Sequence, residues 1–117
     1  MSLESDLLAV IGAHCPRVFV GTAPYNTKTP YVTWQHIGGD PLRYLDSEAA
    51  DKRNAQIQIN TWDATALDAL ALILRLEEAI CKAPQFQAEA YGQPVLSYDD
   101  ADIAKGYLMT FSITGAR

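Results

Sequence analysis

From residue 54 to residue 62 the chain alternates amide and apolar side chains, reading Asn-Ala-Gln-Ile-Gln-Ile-Asn-Thr-Trp. A period of two places successive side chains on opposite faces of a strand, so this stretch predicts a strand with one buried face. Its other face carries neutral amides from residue 54 to residue 60. Because charged residues are depleted from the cores of protein interfaces, the pattern favours a surface that meets a partner. An ordinary hydrated face that happens to be uncharged is the alternative.

Two other segments show the same alternation. In residues 31 to 37, Val32 and Trp34 suit the core side, and residues 107 to 114 place hydroxyls opposite their large apolar side chains, apart from Leu108. If the three strands are neighbours, their common face shows nine uncharged polar residues: Thr33, Gln35, Asn54, Gln56, Gln58, Asn60, Thr110, Ser112 and Thr114. We predict self-association through this face, because a second copy would cover it without burying unpaired charge.

The order of the elements indicates the fold class. The chain has 117 residues, of which 49% are hydrophobic, which fits one domain spanning residues 1–117. The predicted elements are a helix at 3–13 capped by Ser2, strands at 18–20, 31–37 and 53–61, a helix at 64–82 capped by Asp63, strands at 86–91 and 95–98 separated by a turn, and a strand at 107–114. This order predicts an α+β fold, a single mostly antiparallel sheet with two helices packed on one face.

Apolar residues cover most of the circumference of the second predicted helix, which indicates that the helix is covered on more than one side. We expect it to pack on the sheet and against the first helix. Glu77 falls near the middle of the apolar arc, where an ionised carboxylate would be costly. It lies either beyond the sheet edge or against a cation of another subunit.

Composition excludes several classes of protein. A net charge of −5 leaves no basic stripe for sequence-independent nucleic-acid binding. No apolar run approaches the roughly 20 residues that span a bilayer, and the N-terminus lacks the features of a signal peptide, so we expect a cytosolic protein. Two separated cysteines, Cys15 and Cys81, fit neither a zinc site nor a disulfide framework and are interpreted as small buried residues. No metal or cofactor is expected.

The sequence can also be interpreted as that of an enzyme or as that of a small binding module. An enzyme would have to use His36 with the acidic cluster at residues 99 to 102, but no phosphate loop, nucleophile elbow or orienting carboxylate is evident, so we expect no catalytic activity. A small dimeric ligand-binding or regulatory α+β module would explain the neutral face equally well. It would not explain the long segment at 38–52, in which Leu42, Tyr44 and Leu45 are the apolar anchors.

The order and spacing of several short motifs resemble one family. They are Val18 to Gly21, Ala23-Pro24, Pro30 to Gly39, Leu42 to Leu45, Asn54 to Trp62 and the closing Tyr107 to Ile113. Together they resemble the tail-completion or tail-terminator proteins of long-tailed bacteriophages and prophages, also called head-to-tail joining proteins. The resemblance covers nearly the whole chain.

The resemblance implies an α+β fold whose copies form a ring, typically hexameric, at the end of the tail tube. Its partners would be copies of itself, the tail-tube protein and the head connector, and the genome would pass through the ring without specific binding. The role would be structural, first in the host bacterial cytoplasm during assembly and then in the virion tail. The family's long loop after the second strand corresponds to residues 38–52, so we expect Leu42, Arg43, Tyr44 and Leu45 to form a loop that contacts a tail or connector protein.

Overall fold

The computed structural model describes residues 2–24, 26–40, 52–98 and 105–116. It contains two helices and five strands, in the order α1 (Leu3–Gly12), β1 (Val18–Val20), β2 (Tyr31–Gly38), β3 (Lys52–Asp63), α2 (Ala66–Lys82), β4 (Gln87–Tyr98) and β5 (Lys105–Ala116). The α+β prediction is confirmed.

The five strands form one sheet in the order β1-β2-β3-β5-β4. β1 pairs in parallel with β2, and the other three pairings are antiparallel, which confirms a mostly antiparallel sheet. β3 lies at the centre and pairs with β5 along its whole length, from Lys52 opposite Ala116 to Asp63 opposite Lys105. The three strands with the repeated alternation, β2, β3 and β5, are therefore adjacent.

Both helices pack on the same face of the sheet, as predicted. The alternation along β3 turns Ala55, Ile57 and Ile59 toward the helices, where each is at most 2% exposed. The other residues of this core come from both helices and from the neighbouring strands, and they include Leu3, Leu7, Ile11, Val32, Trp34, Leu72, Ile73, Leu76, Ile80, Met109, Phe111 and Ile113. Burial of this apolar area holds the helices on the sheet.

The two helices begin with different side-chain caps. The Oγ of Ser2 accepts a hydrogen bond from the Ser5 amide at 3.2 Å, and the Ser5 side chain completes a capping box, which confirms the predicted start of α1. The predicted cap of α2 at Asp63 is wrong, because Asp63 still belongs to β3. Thr65 takes that role, and its Oγ1 accepts from the Asp68 amide at 3.2 Å. No helix of the described residues is long and apolar enough to cross a membrane.

A single strand, β4, replaces the two strands predicted at 86–91 and 95–98. Its pairing with β5 shifts between Tyr91, opposite Thr110, and Val95, opposite Leu108, so the residues in between form a bulge. Gly92 adopts a positive φ of 73° within this bulge. The predicted turn is wrong because glycine and proline mark bulges on edge strands as well as turns.

Candidate functional site

The side of the sheet turned away from α1 and α2 is the outer face. Strand register arranges its side chains in five rows across the sheet: Tyr31-Trp62-Gly106-Ser97, Thr33-Asn60-Leu108-Val95, Gln35-Gln58-Thr110-Tyr91, Gln56-Ser112-Glu89 and Asn54-Thr114-Gln87. All nine residues predicted to share one face therefore lie together on it. Neither helix packs on the outer face, since both contribute to the core on the opposite side.

Many polar side chains of the outer face already bind one another. Gln35 Nε2 donates to Gln58 Oε1 at 2.8 Å. Asn54 Nδ2 donates to Ser112 Oγ at 3.0 Å and to Thr114 Oγ1 at 3.1 Å. A buried polar group is costly only where it lacks a partner, so these pairs lower the cost of removing the face from water.

Charge is confined to the margins of the outer face. Lys52 lies at the first residue of β3, and Glu89 lies on the edge strand β4. Sequence reasoning did not extend the face to β4, because it divided that strand in two. Ser97 Oγ donates to Asn60 Oδ1 at 2.9 Å across β5, so β4 contributes to the same surface. The centre of the face is uncharged over the described strands.

One end of the outer face is aromatic, which sequence reasoning missed. The rings of Tyr31 and Trp62 are stacked with centroids 6.2 Å apart, and Phe19 meets Tyr31 edge-on at 6.4 Å. Trp62 Nε1 donates to Thr33 Oγ1 at 3.1 Å. Thr33 was expected to be exposed and is only 6% exposed, because Trp62 packs beside it. Extending the period of two from Asn60 to residue 62 would have placed the indole on this face.

Gly106 provides the space that Trp62 occupies. A Cβ atom at Gly106 would lie 2.7 Å from Cε3 of Trp62 and 2.9 Å from the carbonyl oxygen of Thr61. Both distances are too short, and the Thr61 carbonyl belongs to the central strand and cannot easily shift. The position of the indole therefore depends on a residue without a side chain.

We expect Gly106→Ala to lower the free energy of unfolding by about 1–3 kcal/mol, because the added methyl group overpacks against Trp62 and the Thr61 backbone. Denaturant unfolding followed by circular dichroism would measure the change. Gly12→Ala is the matched control, since no atom lies within 4 Å of its added Cβ. Equal stability of the two variants would contradict this account of Gly106.

A charged cluster joins α1 to the inner side of the sheet. Glu4 Oε1 accepts from Arg53 Nη1 at 2.8 Å, and Glu4 Oε2 lies 3.0 Å from His36 Nε2. Partial burial opposes ionisation of Glu4, but hydrogen bonds from Arg53 and His36 outweigh it and lower the pKa of Glu4 to about 2. His36 thus has the carboxylate partner that the sequence did not reveal. Within the described residues, no three His, Cys, Asp or Glu side chains are grouped to hold a metal ion.

We expect Glu4→Gln to destabilise the protein at pH 7, and solvent screening of this partly exposed cluster keeps the loss to about 1 kcal/mol or less. A carboxylate whose pKa is lowered on folding stabilises the native state above its unfolded pKa. The difference from the parent protein should therefore disappear as the pH falls from 4.5 to about 2. Glu78→Gln is the control, because Glu78 forms an exposed pair with Lys82. A pH-independent difference in unfolding free energy would refute this role of Glu4.

Glu77 is half-buried on α2. Partial burial, and then the nearby carboxylate of Glu77, raise the pKa of the Cys81 thiol, which also contacts the backbone of Ala90 in β4. No ion pair of Glu77 occurs within the described part of the chain. Cys81 is exposed, which corrects its interpretation as buried, whereas Cys15 is buried as expected. The error arose because the apolar arc of α2 is wider than the surface that the sheet and α1 cover.

The remaining candidate segments fall outside the described residues. They are the predicted partner loop, residues 42–45, and the acidic residues at 99–102.

Comparison with known proteins identifies the family. The family model described as tail completion protein gp17 matches residues 3–116. The chain belongs to the tail-completion protein family. Among solved structures it is similar to one described as the gp17 protein of bacteriophage SPP1, with a TM-score of 0.58 and 16% identity over 96% of this chain and 87% of that one. At this identity the match shows a shared fold. No curated protein sequence matches.

Membership confirms the resemblance drawn from the ordered motifs. A phage tail-completion protein is a structural component of virion assembly, and its place is the tail. The functional surfaces of this tail-completion protein are therefore those that meet tail and head components of the phage.

Proposed function

We propose that this tail-completion protein assembles as a ring at the end of the tail tube and joins the tail to the head connector. The observation that carries this proposal is the outer face, which is uncharged at its centre and has its amides and hydroxyls bonded to one another. A ring of six copies is the number that the family resemblance implies. In this proposal the outer face is the surface on which copies associate.

The outer face is large enough for such a contact. Its five rows across four strands span an area of about 600 Å², taking strands about 4.8 Å apart and rows about 6.8 Å apart. A standard protein interface buries about 800 Å² on each partner. The outer face can therefore supply most of one side of a stable contact.

The acidic balance of the chain suits a ring that encloses a DNA channel. A cationic lumen would hold DNA through its phosphates, and a net charge of −5 avoids such binding. The genome would thus pass without specific contacts. We propose no enzymatic step and no cofactor, and His36 with Glu4 serves to fasten α1 to the sheet.

The contacts with other virion proteins are assigned to the loop after β2. We propose that Leu42, Arg43, Tyr44 and Leu45 bind the tail-tube protein or the head connector, since they are the anchors of a long segment otherwise rich in polar and small residues. Glu77, without an ion pair in the described chain, is available to a cation of another subunit. Assembly takes place in the host cytoplasm, and the product is part of the virion tail.

A dimeric ligand-binding or regulatory module is the second candidate. It is favoured by the same surface, because two outer faces packed on each other about a two-fold axis would close as a dimer. Electron microscopy of the concentrated protein separates the two functions. A ring with a central hole supports tail completion, and a compact dimer supports the module.

We expect Gln58→Lys to abolish ring formation, because it places a charge at the centre of the outer face and removes the oxygen that accepts from Gln35. Sedimentation would give the oligomer mass at concentrations where the parent protein assembles, and incorporation into tails would give a second measure. Thr22→Lys is the control, since Thr22 is exposed in the connection after β1. An oligomer of unchanged mass would show that copies do not associate through the outer face.

We expect removal of residues 42–45 to abolish joining of heads to tails while the fold is retained, because the shortened loop lacks its apolar anchors. Complementation of a phage that lacks this protein would measure infectious particles, and electron microscopy would count free heads and free tails. Circular dichroism of the purified variant is the control for folding. Normal yields of infectious particles would refute the assignment of this loop.

A further inference from the structure

We propose that the outer face of one copy is covered by helix α2 of the next copy. This inference rests on the proposed ring and identifies the second surface that the ring needs. Two outer faces in contact would be related by a two-fold axis and would close as a dimer. A ring of more than two copies needs a contact between two different surfaces of the same chain.

The second surface lies on α2. Leu67 is 76% exposed and Leu74 is 41% exposed, and the exposed Ala71 lies between them. These three residues, at positions i, i+4 and i+7, form one line along the helix, which we call the α2 stripe. The stripe remains uncovered although α2 already packs on the sheet and against α1. Single exposed leucines are ordinary on a protein surface, but a line of apolar side chains that the rest of the chain leaves uncovered is typical of an interaction site.

The outer face offers apolar side chains to such a stripe. Val95 is 59% exposed and lies in the row of Leu108. Tyr91 is 50% exposed and lies in the adjacent row, opposite Thr110. Trp62 lies in the row on the other side of Val95, fixed by its bond to Thr33 and its stacking on Tyr31. The α2 stripe is about 10 Å long, which corresponds to between one and two rows of the sheet. The stripe therefore fits the apolar end of the outer face.

Charge is compatible with this contact. The stripe contains no ionisable side chain, and the neighbouring Asp68, Arg75 and Glu78 are exposed residues of both signs. The outer face has its charges, Lys52 and Glu89, at its margins. Packing of the stripe on the apolar end of the face would leave these groups outside the contact and in water, so no unpaired charge would be buried.

The contact also completes the layers of the fold. Each copy has a sheet with helices on one face and a bare second face, and a helix from the neighbour would cover the apolar end of that second face. Each copy contributes one outer face and one α2 stripe, so the same junction repeats from copy to copy. Only closure of the ring leaves no copy with an uncovered surface.

Two lysine substitutions test this junction. We expect Leu67→Lys and Val95→Lys each to raise the dissociation constant of assembly by about tenfold or more, because each places a charge in the apolar contact. Val20→Lys is the matched control: Val20 is 65% exposed, but it lies on β1, outside both surfaces. If either Leu67→Lys or Val95→Lys assembles as the parent protein does, the inference is overturned.

Mixing the two variants distinguishes a head-to-tail junction from a symmetric one. A Leu67→Lys copy keeps an intact outer face, and a Val95→Lys copy keeps an intact α2 stripe. At a protein concentration at which neither variant assembles alone, we expect the mixture to form heterodimers of twice the monomer mass and nothing larger. Absence of these heterodimers from the mixture would overturn the inference.

Cross-linking applies the same test to protein that stays monomeric in dilute solution. In a Cys81→Ser background, Leu67→Cys copies are mixed with Val95→Cys copies of different mass and treated with a bismaleimide. We expect the mixed product in excess over a control mixture of Leu67→Cys with Val20→Cys. Self-linked Val95→Cys without the mixed product would indicate face-to-face contact and overturn the inference.

Failure of this inference can be told apart from failure of the proposed function. If the lysine variants assemble as the parent protein does, and the parent protein forms rings that join tails, the inference is wrong and the proposed function stands. If the parent protein does not join tails, the proposed function itself is wrong.

Discussion

The antiparallel pairing of β3 with β5 is the constraint on which the rest of the structure depends. It runs over the full length of both strands and fixes which side chains face the helices and which face away. A shift of register by one residue would move isoleucines to the outer face and amides to the core. The apolar core and the uncharged outer face are thus two results of one alignment, and neither can change without the other.

The outer face combines two kinds of surface. Its amide and hydroxyl rows are held by hydrogen bonds between neighbouring strands, so they are ordered before any partner arrives. Its aromatic end is rigid for a different reason, since the rings stack and the indole rests over a glycine. Preorganised groups lose little conformational entropy on association, which favours a specific contact over nonspecific association.

Much of this arrangement was predictable from the sequence, and the misses have physical causes. The period of two in β3 identified the outer face because it is a local property, and Ser2 was recognised because an N-cap is a local feature as well. The bulge in β4 was missed because a glycine such as Gly92 can indicate either a turn or a bulge. The need for glycine at residue 106 depends on where Trp62 lies in the neighbouring strand, and pairing between distant segments is not encoded locally. The uncovered leucines of α2 were foreseen as an apolar arc, but only the packed structure shows which of them α1 leaves exposed.

The two tryptophans of the chain lie on opposite sides of one sheet. Trp34 is 4% exposed in the core beneath the helices, whereas Trp62 stands on the opposite side beside Tyr31. Unfolding would change the surroundings of both indoles, whereas a partner bound on the outer face would change those of Trp62 alone. Intrinsic emission thus gives this small protein a built-in optical distinction between unfolding and docking.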